Sequence, residues 1–312
     1  MNLYYFGYML NMASVFMTAG TGAAISMRCG EFNLGGEGQI YAGGFVCALL
    51  LAKLNGFPPV IAVTLSLLSG AATSALLCFI SALLKKFKNA SFLLTSFIIS
   101  SAVIPLINGL IAGPCRGNTG NLLATPFIGK AYRFTQIMKP SNLNPTFFIG
   151  FLICIAGGLL LFKTNFGRKL CVYGISNEFA KYSGFSEKAI IFNSALISGG
   201  LHGLAGGFLV CGTYFTCHSG FYAGLGWSSL SASMLGLSNP LLVIPSSLFL
   251  GFVNMLTTRI SLRHNVGFDL GTMIQSVIMF LISIPFYTKI KKSLSLRGEK
   301  RRGNPDKKGD NK

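Results

Sequence analysis

The chain has 312 residues, of which 51% are hydrophobic and only 11% are charged, whereas about 25% of the residues in soluble proteins are charged. Its mean hydropathy is +0.59, and its formal net charge is +18. This composition excludes a water-soluble globular domain and indicates an all-α protein that crosses a membrane several times.

Apolar runs of membrane-spanning length recur along the chain and predict a polytopic transmembrane helical bundle of about nine spans, within a range of eight to ten. The first run has no preceding Lys or Arg, so we interpret it as a helix of the mature protein rather than a signal peptide. We expect one transmembrane domain, 1–286, and a basic tail, 287–312. The nine runs are 5–27, 38–52, 58–84, 91–113, 146–162, 189–211, 221–237, 240–257 and 270–286.

The positive charge is concentrated in three places, which makes it a topology signal rather than a sign of nucleic-acid binding. The tail 287–312 carries +7, the loop 163–188 carries +3, and a turn with Lys85, Lys86 and Lys88 carries +3. We expect all three to be cytoplasmic and the amino terminus to be outside. The tail is either solvated or in contact with anionic lipid headgroups, so membrane lipid is an expected partner.

The polar run 28–39 is the first marked feature in chain order, because it places two carboxylates and two amides among glycines between the first two spans. An ionisable group at mid-bilayer costs about 2.5 to 3.5 kcal/mol, so this run faces water, protein or a polar cavity. It is either an ordinary cytoplasmic turn or part of a solute pathway. The candidate pathway residues are Glu31, Asn33, Glu37, Gln39 and, more weakly, Asn239.

The loop 163–188 carries seven charges of both signs between apolar segments. No Walker A sequence, G-x-x-x-x-G-K-[ST], occurs in the chain, so ATP-driven transport would need an ATPase on another polypeptide. We therefore interpret the loop as a surface that binds such a motor. ATP and Mg²⁺ would be bound by that partner, and we expect no cofactor on this chain.

The sixth predicted span carries small residues at four-residue intervals, on one helical face. Such a ridge lets another helix backbone approach closely. The partner helix could belong to the same chain or to another subunit. The ridge consists of Ala195, Gly199, Gly203 and Gly207. Further along, Asn239-Pro240 is the natural break in the apolar stretch 228–257.

Catalytic and metal chemistry are not expected, because no Ser/His/Asp arrangement, paired catalytic carboxylate or ligand-like His and Cys spacing occurs. The chain is thus predicted not to be an enzyme. Most of the eight cysteines lie in or beside apolar spans, where a thiol behaves as a small hydrophobe. Cys211 and Cys217 could pair, but nothing in the sequence requires it.

Four motifs resemble those of the permease subunits of ABC importers for branched-chain amino acids, simple sugars and nucleosides. The run GEFNLGGEGQ at 30–39 resembles the signature G-x-x-N-[IL]-G-x-E-G-Q. The stretch 173–184 resembles the pattern V-G-x-N-x-x-A-A-x-Y-x-G, with Phe179 where the family usually has a small residue. The Gly-rich run 198–212 and the segment Leu235–Pro240 follow in the same order. The chain is most similar to the nucleoside and simple-sugar branch.

This resemblance implies a type II ABC importer permease-like fold in the bacterial cytoplasmic (inner) membrane. It also implies an ABC ATPase subunit, a second homologous permease subunit and an extracytoplasmic substrate-binding (lipo)protein as partners. The segment 174–188 would be the coupling element that docks into the ATPase, with Gly174, Glu178 and Gly184 as its candidate residues.

The transported solute stays open: nucleosides come first, riboflavin second, and simple sugars are a further possibility. Whether the two permeases are identical also stays open. A secondary transporter of a small polar solute is the alternative function, although no predicted span interior carries an acid. A structural membrane scaffold is the third interpretation, and it would have no use for the polar run.

Overall fold

The computed structural model describes residues 3–54, 56–264, 273–274 and 276–281. These residues form ten named α-helices, which confirms the all-α prediction for this part of the chain. In order they are α1 (Leu3–Arg28), α2 (Gly36–Lys53), α3 (Pro59–Lys88), α4 (Phe92–Ala112), α5 (Thr146–Lys163), α6 (Asn165–Ile175), α7 (Asn177–Tyr182), α8 (Glu187–Leu209), α9 (Leu225–Leu235) and α10 (Pro240–His264). A π-helical turn, Val210–Tyr214, continues α8.

Five helices in the described residues are long and apolar enough to cross a membrane: α3, α4, α5, α8 with its π turn, and α10. The helices α1 and α2 occupy the first two predicted spans but are not among these five. The run 221–237 contains only α9, whose 11 residues extend about 16 Å at 1.5 Å per residue. Most of the run 270–286 lies outside the described residues, and the count of nine spans is not confirmed.

Helix α1 lies at the centre of the bundle, in contact with α5, α8, α9 and α10. Its side chains are buried continuously from Leu10 to Ser26, and many of them are Gly, Ala, Ser or Thr. The hydroxyls of Thr18 and Thr21 donate to carbonyls one turn earlier, at 2.8 and 2.7 Å. Small side chains whose hydroxyls bond to the backbone of their own helix therefore allow other helices to surround α1 without leaving these hydroxyl donors unpaired.

Three glycines bring the backbones of α2, α3 and α8 into direct contact at one crossing. A Cβ added to Gly43 would overlap the backbone of Gly203, and one added to Gly70 would overlap the carbonyl of Gly43. A Cβ on Gly203 would lie 2.6 Å from the Gly70 carbonyl oxygen. We call Gly43, Gly70 and Gly203 the glycine crossing.

The predicted small-residue ridge of α8 lies against α3 of the same chain. Cβ atoms on Gly199 and Gly207 would lie 2.5 Å from the Ser74 carbonyl oxygen and 2.5 Å from the Leu67 side chain, respectively. Ala195, at the start of the ridge, is 1% exposed. In the structure, this ridge therefore packs closely against another helix of the same chain.

The predicted break at Asn239-Pro240 is confirmed, because α9 ends at Leu235 and α10 begins at Pro240. Leu237 and Ser238 adopt left-handed backbone angles, with φ of 52° and 55°. The Asn239 side-chain oxygen accepts a bond from the Leu241 amide at 3.1 Å, as an N-terminal capping residue does.

Residues 113–145, the loop cap, cover the end of the bundle where α8 terminates. Main-chain bonds join the cap to the segment 211–219: Thr125 to Cys217 at 3.0 Å, Ile128 to Phe215 at 2.9 Å and Phe134 to Cys211 at 2.9 Å. All eight cysteines are free thiols, and the sulfur beside Cys211 is that of Cys47, 3.8 Å away.

Candidate functional site

The polar turn, residues 28–39, connects α1 to the first turn of α2 and is buried despite its composition. Glu31, Asn33 and Gln39 are 7%, 2% and 3% exposed. Burying polar groups is unfavourable unless each finds a hydrogen-bond partner, so the partners of these side chains define what the turn does.

Asn33 and Gln39 form the centre of the turn by bonding to each other. The Asn33 amide donates to Gln39 Oε1 at 2.8 Å, and the Gln39 amide donates back to Asn33 Oδ1 at 3.1 Å. Asn33 also donates to Ser198 Oγ on α8 at 2.9 Å, and its oxygen accepts from the Gly35 amide at 3.0 Å. This pair therefore connects the start of α2 to the middle of α8.

Two serines of α4 complete the amino-terminal end of α2, which has no side-chain cap of its own. Ser96 Oγ accepts from the Leu34 amide at 3.1 Å, and Ser100 Oγ accepts from the Gly38 amide at 2.7 Å. The first N–H groups of a helix have no hydrogen-bond partners within that helix. The two serines supply such partners for α2, and these bonds hold α4 against α2.

Glu31 forms an ion pair with Lys85, in the last turn of α3. Burial raises the pKa of the Glu31 carboxyl, and the Lys85 ammonium opposes that shift. The pair connects the polar turn to α3, so the turn contacts α3, α4 and α8 through polar side chains.

Glu37 differs from the other candidates because it is half-buried and reaches away from the Asn33–Gln39 pair. Its Oε1 accepts from the Gly224 amide at 2.9 Å. Asn239 lies at the start of α10, next to Ser238, whose carbonyl accepts from Arg28 of the polar turn at 2.8 Å. Of the five predicted pathway residues, the structure brings only Asn33 and Gln39 into direct side-chain contact.

The charged segment 163–188 contains two short helices, α6 and α7, followed by the start of α8. Three hydroxyl residues cap them: Thr164 accepts from the Gly167 amide at 3.1 Å, and Ser176 and Ser186 accept from the amides of Phe179 and Ala189, each at 3.4 Å. These caps explain why a polar loop forms helices here.

Helix α7 presents apolar side chains to the surface. Phe179 and Tyr182 are 61% and 92% exposed, and Ile175, just before it, is 77% exposed. Glu178 is also exposed and has no hydrogen bond or ion pair within the described residues. Exposed apolar groups together on a helix of six residues are typical of an interaction surface.

The two glycines that we predict to take part in coupling have different surroundings in the structure. A Cβ on Gly174 would overlap the carbonyl oxygen of Arg28, so α6 touches the polar turn backbone to backbone. Gly184 has φ of +74° and open space around it, so it serves the left-handed turn that ends α7.

Glu187 joins four elements and was not singled out from the sequence. Its Oε2 lies 2.7 Å from Lys86 Nζ of α3 and 3.7 Å from Lys181 Nζ of α7, while the Tyr173 hydroxyl of α6 donates to Oε1 at 3.1 Å. Arg28 similarly donates to the Ser238 carbonyl at 2.8 Å. Lys86 is 101 residues from Glu187, and Ser238 is 210 residues from Arg28, so no local pattern indicates these two partners.

A cavity of about 260 Å³ opens beside α6, lined by Asn165, Arg168, Lys169, Val172 and Phe185. Within the described part of the chain, no three His, Cys, Asp or Glu side chains lie together as a metal site would require. The chemistry of this region is therefore that of charge pairs and apolar contacts.

A second group missed from the sequence lies along α2, one turn beyond Glu37. The Tyr41 hydroxyl donates to Asn108 Oδ1 at 2.6 Å, and the Ser219 hydroxyl donates to the same oxygen at 3.0 Å. The only available signal was the four-residue spacing of Glu37 and Tyr41, which places both on one helical face.

Comparison with known families gives one match over most of the chain. Residues 5–283 match the family described as "Branched-chain amino acid transport system / permease component". No solved structure matches the chain.

Three curated relatives illustrate the range of similar proteins. The probable riboflavin import permease protein of Treponema pallidum (strain Nichols) is 30% identical over 89% of this chain and 74% of its own length. The guanosine ABC transporter permease protein of Bacillus subtilis (strain 168) is 23% identical over 90% of this chain and 81% of its own. The glucose ABC transporter permease protein of Haloferax volcanii is 23% identical over 92% of this chain and 77% of its own.

Proposed function

Because the chain belongs to the family of permease components of branched-chain amino acid transport systems, we propose that it forms the translocation pathway of an ABC importer for a nucleoside-like small solute. It is a transmembrane ABC transporter permease, a multi-pass protein of the bacterial inner membrane. The solute that we propose is a nucleoside, riboflavin or a simple sugar, as in the relatives' names.

One observation carries the proposal: α7, whose exposed side chains include Phe179 and Tyr182, directly follows α6, and α6 touches the buried polar turn. Gly174, just before α7, contacts the Arg28 carbonyl of that turn. A partner that binds Phe179, Tyr182 and Glu178 would thus act on the end of α1 through direct backbone contact.

We assign the binding of α7 to a separate ABC ATPase subunit, which would hold ATP and Mg²⁺. Motion of α7 would reach α3 and α8 through Glu187, which contacts Lys86 and Lys181. It would reach α1 through Gly174, and the polar turn would pass it to α2 and α4. The pathway would then open to one side of the membrane and afterwards to the other.

Within the polar turn, we propose Glu37 as the group that faces the solute. Glu31, Asn33 and Gln39 are bonded to Lys85, Ser198 and each other, so they would shape the pathway wall. Asn239 would contribute through the start of α10. A second homologous permease subunit would complete the pathway, and an extracytoplasmic binding (lipo)protein would deliver the solute.

Co-purification and transport test the proposal. The chain is expressed with the ABC ATPase, second permease and lipoprotein of its gene neighbourhood, purified through a tag on this chain, and reconstituted in proteoliposomes. We expect the ATPase to co-purify and solute uptake to require ATP. Uptake that persists without the ATPase and follows an ion gradient would instead establish a secondary transporter.

Paired variants test the coupling residues within the same complex. Glu178→Ala combined with Gly184→Ala is expected to reduce ATPase co-purification or uncouple ATP hydrolysis from uptake by about tenfold, as the loss of about 1.4 kcal/mol would do. The control is Arg116→Ala, an exposed cation of the loop cap. Normal uptake in the double variant would contradict the coupling assignment.

A further inference from the structure

A strip of side chains runs from Glu37 toward the loop cap and combines acceptor, aromatic and donor groups. It contains Glu37 and Tyr41 on α2, Asn108 on α4, and Ser219 and Tyr222 in the connection before α9. Glu37 and Tyr41 are one helical turn apart, a rise of about 6 Å.

Tyr222 is the accessible aromatic ring of the strip. It is half-buried, and Tyr41 supports it from behind with ring centroids 4.6 Å apart and planes tilted by 35°. Tyr41 is itself completely buried and packs edge-on against Phe221 at 5.5 Å. Packing against Tyr41 therefore holds the ring of Tyr222, and its partial exposure leaves part of the side chain available for stacking.

Asn108 supplies unused donors next to Tyr41, the residue that packs against this ring. Its side-chain oxygen accepts from both Tyr41 and Ser219, which orients the amide so that the nitrogen is left over. That nitrogen carries two N–H groups and has no partner among the described residues. The half-buried Asn108 amide can therefore donate hydrogen bonds to a carbonyl or ring nitrogen of a bound solute.

Glu37 supplies an acceptor at the other end of the strip. One carboxylate oxygen accepts from the Gly224 amide at 2.9 Å, and the other has no hydrogen bond within the described part of the chain. Burial raises the pKa of the Tyr222 phenol, and the charge of Glu37 adds to this shift, so the phenol keeps its proton at neutral pH.

We infer that Glu37, Tyr222 and Asn108 form a binding surface for a planar heteroaromatic solute that carries both N–H donors and carbonyl acceptors. The ring would stack on Tyr222, Asn108 would donate to a carbonyl, and the Glu37 carboxylate would accept from a ring N–H. Tyr41 is a positioning residue that holds Tyr222 and Asn108. A pyranose has neither a flat π face nor this pairing of N–H and carbonyl groups, so the strip favours a heterocycle over a simple sugar.

This inference rests on the proposed function, and uptake by the reconstituted importer tests it. The probes are labelled guanosine, riboflavin and glucose, each supplied with the binding protein. We expect ATP-dependent uptake of guanosine or riboflavin. Entry of glucose alone, or of none of the three while the binding protein still stimulates ATP hydrolysis, would overturn the inference and leave the importer assignment standing.

Variants connect the uptake to the strip. Tyr222→Leu is expected to lower kcat/KM for heterocycle uptake at least tenfold, whereas Tyr222→Phe, which keeps the ring, retains at least about a third of the wild-type value. The control is Tyr4→Leu, an exposed tyrosine of α1, which we expect to leave uptake unchanged. Equal uptake in Tyr222→Leu and wild type would overturn the inference.

Asn108→Asp gives an independent test that does not remove a packed side chain. The aspartate keeps an oxygen for Tyr41 and Ser219 but has no N–H donors, so heterocycle uptake is expected to fall at least tenfold with normal recovery of the complex. Unchanged uptake would overturn the role of Asn108. Failure of the ATPase to co-purify with wild-type chain would contradict the proposed function instead.

Discussion

The polar turn (28–39) and the segment around α7 (176–184) are built in opposite ways, although α6, which directly precedes α7, touches the turn at Gly174. In the turn, Glu31, Asn33 and Gln39 are buried and hydrogen-bonded to α3, α8 and each other. In the α7 segment, Phe179 and Tyr182 are exposed and only Ala180 of the helix is buried.

This contrast separates a group of residues that holds the helices together from a surface that we propose binds a partner. Polar groups in the turn stabilise the chain because removing any one leaves its buried partners unpaired. Apolar groups on α7 contribute little to the fold, because they stay in contact with solvent. Stability and association should therefore respond to different substitutions, and the expected effects range from large in the turn to small on α7.

Asn33→Ala should cause the largest loss of stability. It removes the partner of Gln39, Ser198 and the Gly35 amide, and each buried polar group left unpaired costs about 1–3 kcal/mol. We expect a total near 3 kcal/mol, measured as a lower thermal denaturation midpoint of the purified complex in detergent. The control is Asn177→Ala, at an exposed position on α7. Equal denaturation midpoints for the two variants would contradict the contrast between the polar turn and α7.

Gly174→Ala should have the next largest effect, since the added methyl overlaps the Arg28 carbonyl oxygen. Overpacking of this kind costs about 1–3 kcal/mol, and it would also move α6 away from the turn. The expected readout is a lowered midpoint together with more ATP hydrolysis per solute imported. The matched control is Gly109→Ala, which adds a methyl where nothing lies within 4 Å. The same result in both variants would show that the contact between Gly174 and Arg28 is not the cause.

Gly184→Ala should cost about 1 kcal/mol, because φ is +74° and a left-handed backbone is unfavourable for a residue with a Cβ. Open space around Gly184 excludes a steric contribution. Asn tolerates this conformation better than Ala, so Gly184→Asn should lose less stability. Identical losses for Ala and Asn in thermal denaturation would argue against a backbone cause.

Tyr182→Ser should change the stability of the chain least, by less than about 0.5 kcal/mol, since the side chain is 92% exposed. Its expected effect is on association: less ATPase should co-purify, and Tyr182→Phe should restore it. A lowered thermal denaturation midpoint without a change in ATPase co-purification would show that Tyr182 stabilises the fold and does not bind a partner.

Sequence patterns predicted most helices of the described chain because long apolar runs and Lys-rich ends mark them directly. The shortness of α9 was not predicted: its run begins at residue 221, but Gly224 has φ of +76° and the helix starts only at Leu225. Apolar composition indicates that a segment is buried but not how much of it is helical. The sequence therefore does not distinguish a buried connection from the first turns of a helix.

The sequence singled out two polar segments as candidates for the site but did not indicate which residues they would contact. The run 30–39 and the segment 174–184 have unusual composition, whereas Lys85 is 54 residues from Glu31 and Asn108 is 67 residues from Tyr41. Such pairs depend on which helices are neighbours. Only the folded arrangement of α2, α3 and α4 brings them together.

The glycine crossing of α2, α3 and α8 restricts how the protein can change shape. Helices that meet through a layer of side chains can slide by repacking rotamers, which is shear motion, whereas Gly43, Gly70 and Gly203 leave no such layer between the backbones. Sliding any one of the three would drive main-chain atoms into each other. These helices must therefore turn as one rigid body, and the bending that accompanies transport must fall in the connections at their ends.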